Sequence, residues 1–128
     1  MATATQSALG RRPEPGAVLT KAVCRAADAL GLTQKDLAAV IGVSAASASR
    51  IAGGARQLDP SGKEGELALL LLRVFRSLDS LVGGREDRAR QWFHAPNAHL
   101  GGVPAERVRT AQGLVRVAEY LDGLRGKL

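Results

Sequence analysis

The chain has 128 residues, of which 45% are hydrophobic but only 3% aromatic, and it carries a formal charge of +6 at pH 7. A core of this composition is built from Leu, Val, Ile and Ala, which favours packed α-helices over sheets. The length allows one ordinary domain or two small lobes with a shared core. The positive charge favours an anionic partner and gives no information about the fold. The expected fold class is therefore all-α.

The composition also excludes a disulfide-stabilised protein and a membrane-spanning one. Cys24 is the single cysteine, which excludes an internal disulfide and matches a reducing cytoplasm, and its apolar neighbours favour a buried thiol over a reactive one. The longest apolar run covers residues 67–72, far below the ~20 residues that a bilayer requires. Residues 1–16 lack the apolar segment of a signal peptide. We therefore expect a cytoplasmic protein.

At the beginning of the chain, residues 1–16 are predicted to form a disordered arm that ends with two prolines and a glycine. The following residues, 17–30, have apolar side chains at helical spacing, which predicts a helix with one buried stripe. The stripe comprises Val18, Ala22, Val23, Ala26, Ala29 and Leu30.

Residues 31–54 are typical of two short helices joined by a tight turn. Thr33 and Ser44 are suitable N-caps, which predicts helices over residues 33–41 and 44–52. Gly42 permits the turn between them, because glycine adopts backbone conformations that strain other residues. This is the helix-turn-helix pattern of DNA-binding modules.

The second helix of this pair is the candidate reading helix. Arg50 has most of the reading power, because a guanidinium can bind a guanine edge or a phosphate with two hydrogen bonds. Two alanines at the start of the helix offer only methyl contacts, so we expect weak base readout, supplemented by DNA shape and dimer spacing. Gln34 could anchor a phosphate at the start of the first helix. An αα corner without a DNA partner is the alternative. The candidate DNA-binding residues are Gln34, Ser44, Ala45, Ala46, Ser47, Ser49 and Arg50.

The C-terminal half contains the longest predicted helix and three shorter segments. From residue 63 to residue 81, apolar side chains keep the i, i+3, i+4 rhythm of an amphipathic helix. Residues 85–93 are predicted to form another helix, Pro104 suits the first turn of a short one, and Thr110 can cap the last helix. The predicted architecture is thus a helix-turn-helix domain over residues 17–60, followed by a helical bundle over residues 61–128. The apolar positions of the last helix are Leu114, Val115, Val117, Ala118, Leu121 and Leu124.

Residues 88–124, RARQWFHAPNAHLGGVPAERVRTAQGLVRVAEYLDGL, carry a pattern of W, P-N, L, G, P, then T with a glycine after it. With this pattern the C-terminal half, from roughly residue 63 onward, resembles the toxin-binding domain of the Xre/MbcA/ParS antitoxin family. The upstream helix-turn-helix makes the combination specific. The matching positions are Trp92, Pro96, Asn97, Leu100, Gly101 or Gly102, Pro104, Thr110 and Gly113.

The resemblance implies an all-helical antitoxin, without enzymatic activity or a cofactor of its own, that binds a RES-domain toxin. Such a toxin degrades NAD or transfers its ADP-ribose to a target. The resemblance also implies that the end of the chain enters or covers the toxin's active-site cleft; a frayed, solvated terminus is the alternative. The candidate toxin-binding residues are Glu119, Tyr120, Asp122, Arg125, Lys127 and Leu128.

Three of the motif residues also have structural uses. Trp92 can anchor the packing between two helices. The side chain of Asn97 is suited to hydrogen bonding with nearby backbone in a turn, and Gly113 inside a helix would allow close approach of a neighbouring helix. We expect these residues to hold the platform, not to contact the toxin.

The sequence gives little support to an enzyme. His94 and His99 lie on either side of Pro96 without a cysteine or carboxylate at ligand spacing between them, so a surface pair is favoured over a metal site. The glycine pairs are better explained as helix stops than as phosphate loops.

These observations predict an antitoxin that neutralises a RES-domain toxin and represses its own operon as a homodimer, since paired half-sites require two-fold symmetry. The dimer would use the helix over residues 63–81 or the C-terminal bundle. One alternative is a dimeric helix-turn-helix transcriptional regulator without a toxin partner. Another is a nucleoid-associated protein, whose DNA affinity would fall steeply with salt and show no operator preference.

Overall fold

The computed structural model describes residues 14–126, and this part of the chain folds into helices joined by short loops. The one extended pairing among these residues is an isolated bridge between Asn97 and Gly102. The all-α class predicted from composition is confirmed. The helices are α1 (Pro15–Leu30), α2 (Gln34–Ile41), α3 (Ala45–Ala52), α4 (Lys63–Leu81), α5 (Glu86–Phe93), α6 (Pro104–Arg107) and α7 (Ala111–Gly126).

The first helix differs from its prediction in two respects. It begins at Pro15, because a proline fits the first helical turn, where its missing N–H is not needed. The predicted burial of Val18 is wrong, since its side chain is 50% exposed. Leu19 is buried instead, as it shares the helical spacing of Val23 and Leu30. The remainder of the predicted arm, residues 1–13, lies outside the described residues.

Two capping side chains and a left-handed glycine fix the turn between α2 and α3. The Thr33 hydroxyl accepts a hydrogen bond from the Asp36 N–H at 3.1 Å, and the Asp36 carboxylate accepts one from the Thr33 N–H at 3.0 Å. The Ser44 hydroxyl accepts from the Ser47 N–H at 3.0 Å. Gly42 has φ of +72°, which would strain any other residue. Both predicted N-caps and the glycine turn are therefore confirmed.

Helix α4 is the central element of the fold. It packs against α1, α2, α5 and α7, and one continuous hydrophobic core runs from α1 to α7. Its buried side chains include Leu71, Val74 and Leu78, as the apolar rhythm predicts. The division into domains at residues 60 and 61 stays a prediction.

Polar contacts hold the connection between α3 and α4 in place. The buried Thr20 hydroxyl donates to the Gly16 carbonyl oxygen at 2.6 Å and accepts from the Leu58 N–H at 2.8 Å. Arg56 pairs with both carboxylate oxygens of Glu64, at 2.8 and 3.2 Å. The segment that follows α3 is thereby tied to both α1 and α4.

The loop before α6 is closed by backbone and side-chain hydrogen bonds. Asn97 and Gly102 exchange backbone hydrogen bonds of 2.9 and 3.2 Å, and the Asn97 side-chain oxygen accepts from the Leu100 N–H at 3.1 Å. The role predicted for Asn97 is confirmed.

No helix among residues 14–126 is long and apolar enough to cross a membrane.

Candidate functional site

The outer face of α3 is the first candidate surface. Ala45, Ala46, Ser49 and Arg50 are exposed, because the inner face of the helix buries Ala48 and Ile51. The Arg50 guanidinium donates a hydrogen bond to the Ser47 hydroxyl at 3.2 Å, which orients it along the outer face and leaves other N–H donors available. Four of the seven candidate DNA-binding residues are thus exposed on α3.

The amino end of α2 carries another candidate residue. Gln34 is exposed in the first turn, as a phosphate anchor requires, and the helix end has a partial positive charge. Asp36 in the same turn pairs with Arg109 at 2.9 Å. The hydrogen bond from the Thr33 N–H, aided by the Arg109 charge, lowers the pKa of Asp36. This carboxylate therefore links α2 to the segment before α7.

Two basic side chains that the sequence analysis did not select flank the end of α3. Lys21 and Arg25 on α1 line a groove of about 340 Å³ together with Ala52 and Gly54 at the end of α3. Both side chains are exposed. Because Lys21 and Arg25 are four residues apart on one helix, the sequence indicates that they share a face. Only the fold places them next to α3.

The second candidate surface is an aromatic stack beside α7. The ring centroids of Trp92 and Tyr120 lie 6.4 Å apart with 14° between the ring planes, and those of His99 and Tyr120 lie 5.7 Å apart with 26° between the planes. Trp92 is half-buried against the core, as expected of a packing anchor. Trp92 and Tyr120 are the only tryptophan and the only tyrosine of the chain.

An open groove of about 760 Å³ runs along the solvent face of α7 next to this stack, and we call it the α7 groove. Glu119 and Tyr120, both candidate toxin-binding residues, lie in its wall. The Arg116 guanidinium donates to the His99 carbonyl oxygen at 2.8 Å and so joins α7 to the preceding loop. The groove is lined by His99, Ala111, Gln112, Val115, Arg116, Glu119 and Tyr120.

The remaining candidate toxin-binding residues lie elsewhere. Asp122 accepts hydrogen bonds from Arg73 and from the buried Ser77 hydroxyl, both at 2.7 Å, and Arg125 donates to Ser77 at 3.3 Å. We call these four residues the α4–α7 polar cluster. The Ser77 hydrogen bond, with Arg73, lowers the pKa of Asp122. The structure therefore separates Asp122 and Arg125 from Glu119 and Tyr120, while Lys127 and Leu128 lie outside the described residues.

The other motif residues form the support beneath the α7 groove. Pro104 is buried in the first turn of α6. The Thr110 hydroxyl accepts from the Gly113 N–H at 3.0 Å, which caps α7 as predicted. A Cβ on Gly113 would collide with the carbonyl oxygen of Arg107, so the close neighbour predicted for this glycine is the backbone at the end of α6.

The two histidines and the cysteine pack or hydrogen-bond with neighbouring groups of the protein. His94 Nε2 lies 2.8 Å from the Leu30 carbonyl oxygen, whereas His99 stacks on Tyr120. No group of three potential metal ligands occurs within residues 14–126. Burial, with a smaller effect of the Asp28 charge, raises the pKa of the half-buried Cys24 thiol, which disfavours the reactive thiolate.

The fold joins a helix-turn-helix through α4 to a helical domain with an exposed aromatic groove. This combination defines a class of binding protein with two separate binding surfaces. The family model described as the antitoxin Xre-like helix-turn-helix domain matches residues 10–73, and that described as the antitoxin Xre/MbcA/ParS C-terminal toxin-binding domain matches residues 77–127. The chain therefore belongs to the Xre/MbcA/ParS antitoxin family of toxin–antitoxin systems. The two domains imply DNA and a toxin as partners. No curated protein matches the sequence.

Proposed function

We propose that this antitoxin neutralises a RES-domain toxin that consumes NAD, by degrading it or by ADP-ribosylating a target, and that it does so by covering the toxin's active site. The support is the match of residues 77–127 to a toxin-binding domain, together with the exposed end of α7 at Arg125 and Gly126. The mechanism is steric occlusion in the cytoplasm. It requires no catalysis and no cofactor from the antitoxin.

The chemistry of the toxin's cleft suits this end of the chain. A cleft that binds the pyrophosphate of NAD contains positive charge and hydrogen-bond donors. The exposed carboxylate of Glu119 would meet such a surface, while Arg125 would meet acidic walls of the toxin.

Deletion of residues 125–128 tests the occlusion mechanism. We expect weaker inhibition of the toxin's NAD consumption, with the helical content of the antitoxin preserved. Since the deletion also removes the hydrogen bond from Arg125 to Ser77, Ser77→Ala, which removes the acceptor and keeps the end of the chain, is the matched control for this contact. Full inhibition by the truncated chain would show that the end of the chain does not occlude the cleft.

We further propose that the antitoxin represses its own operon through α3. The exposed outer face of α3, which includes Arg50, and the exposed Gln34 on α2 support this role. A homodimer would present two copies of α3 to paired half-sites. Gel-shift titration with the promoter fragment and with unrelated DNA measures the preference. Equal affinity for both fragments would contradict autorepression and favour a non-specific DNA-binding protein.

Two exposed apolar side chains support the proposed homodimer. Leu69 on α4 is 53% exposed and Val18 on α1 is 50% exposed, although both helices are otherwise packed against the core. A second copy of the chain would cover them. If no toxin partner exists, dimerisation alone would leave a transcriptional regulator.

A further inference from the structure

The α7 groove has the composition of a protein-binding hot spot. Tryptophan, tyrosine and arginine carry a disproportionate share of the binding energy in protein interfaces. The only tryptophan and the only tyrosine of the chain stack on each other beside the groove, and Arg116 lies in its wall. Most other large apolar side chains of α7 face α4 and the core.

The groove is organised before any partner binds. Tyr120 stacks with the rings of both Trp92 and His99, and Trp92 is itself half-buried against the core. The loop that carries His99 is held to α7 by the Arg116 hydrogen bond and is closed by the Asn97–Gly102 bridge. A rigid aromatic surface loses little conformational entropy on binding, so more of its contact energy appears as affinity.

Positive charge gathers at the amino end of the groove. Arg107 donates to the Gly101 carbonyl oxygen, and Arg107, Arg116 and Glu106 line an adjoining cavity of about 410 Å³, with two positive side chains against one negative. The amino end of α7 adds the partial positive charge of a helix terminus. Val115, next to Arg116 in the sequence, is 37% exposed and adds an apolar wall, whereas Glu119 lines the groove further along α7. The surface complements an apolar side chain with a carboxylate next to it.

We propose that the α7 groove is the docking site of the toxin, which inserts an apolar side chain against Val115 and Tyr120 and pairs a carboxylate with Arg116. The inference rests on the proposed function, since it takes the toxin as the partner. All lining residues fall within the region matched as toxin-binding. Docking on this face leaves the α4–α7 polar cluster intact and places the end of α7 beside the bound toxin.

The test uses the full chain and a catalytically inactive variant of the protein encoded by the adjacent gene. Val115→Glu places a charge in the apolar wall, and Arg116→Ala removes the cation. Each is expected to raise the Kd measured by calorimetry by about tenfold or more. Ala55→Glu and Arg88→Ala are matched controls, because both side chains are exposed and lie outside the groove, and each should change Kd by less than about twofold. Circular dichroism confirms that each variant folds.

Three outcomes would overturn the inference, and they are distinguishable. If the wild-type chain binds the toxin and both groove variants bind equally well, the groove is not the dock, while the proposed function stands. If Val115→Glu abolishes self-association and leaves toxin binding unchanged, the groove is an interface between two copies of this chain. If the wild-type chain does not bind, both the proposed function and the inference fail.

Discussion

At the scale of single residues, Gly113 shows why its motif position requires glycine. It lies in the first turn of α7, and a Cβ there would collide with the Arg107 carbonyl oxygen at the end of α6. Backbone cannot move aside as the end of a flexible side chain can. The steric demand therefore comes from the packing of α6 on α7.

Gly113→Ala should destabilise the fold by about 1–3 kcal/mol, the usual cost of overpacking. Gly123→Ala in the same helix is the control, because its Cβ would point into open space and alanine is the better helix former by about 1 kcal/mol. Urea denaturation compares the two free energies of unfolding. Equal stability of the two variants would show that α6 does not approach α7 this closely.

The carboxylate of Asp122 should make part of the stability depend on pH. Its pKa is lowered in the folded state, so its contribution is fully present above the unfolded pKa and is lost as the pH falls through the folded pKa. Asp122→Asn is expected to reduce the free energy of unfolding by about 1 kcal/mol at pH 7. The difference from wild type should shrink below about pH 4.

The control for this experiment is Asp28→Asn, which changes an exposed aspartate on α1. Thermal unfolding followed by circular dichroism from pH 3 to pH 7 measures both variants. A loss of stability in Asp122→Asn that is the same at every pH would contradict a role for the ionised carboxylate.

Sequence reasoning succeeded where the interaction is local. Thr33, Ser44 and Thr110 cap helices because their partners lie three residues along the chain. It could not assign Asp122, whose partners Arg73 and Ser77 lie 49 and 45 residues away. Helical periodicity shows which face of α7 is buried, but it does not show which helix packs beside that face.

At the scale of elements, α3 is the exposed helix that should govern DNA binding. Arg50→Ala should lower affinity for the promoter fragment by about 1–3 kcal/mol if the guanidinium reads a base. If it contacts only a phosphate, affinity should fall on all DNA and the salt slope should decrease by about one. Fluorescence anisotropy at several salt concentrations separates these effects.

Arg88→Ala is the control for DNA binding, because Arg88 is exposed on α5, away from the helix-turn-helix. Unchanged affinity and unchanged salt slope in Arg50→Ala would show that the outer face of α3 does not meet DNA. The helix-turn-helix would then be an αα corner, the alternative that its alanine-rich surface leaves open.

The elements themselves were predictable to within a few residues, since their caps, glycines and apolar spacing are encoded locally. The sequence could not show that α4 packs against both α2 and α7. The α7 groove was likewise beyond prediction, because it combines α7 with His99 from a loop. The sequence predicts Glu119 and Tyr120 as toxin-binding residues from their place near the end of the chain. The structure places both in the wall of the α7 groove.

At the scale of the whole molecule, one core connects the helix-turn-helix domain and the toxin-binding domain. The α4 helix contributes to both, and the ion pair between Asp36 and Arg109 adds a contact at the surface. Arg90 on α5 and His94 just after it also contact the backbone at the end of α1. The two surfaces are thus built on a shared scaffold.

The homodimer should depend on the exposed apolar side chain of α4. Leu69→Glu is expected to weaken dimerisation, because it would place a charge in an apolar interface without a partner. Sedimentation equilibrium measures the dissociation constant, with Val115→Glu as the control on the α7 groove. An unchanged constant in Leu69→Glu, with weaker association in Val115→Glu, would move the dimer interface to α7.

The central claim is that this chain neutralises an NAD-consuming toxin. The most direct measurement expresses the adjacent gene product with and without this chain and follows growth and cellular NAD. We expect the partner alone to arrest growth with NAD consumed or its ADP-ribose transferred to a target, and co-expression to restore growth through a complex that can be purified. A partner that is harmless alone and forms no complex would contradict the claim and leave a helix-turn-helix transcriptional regulator.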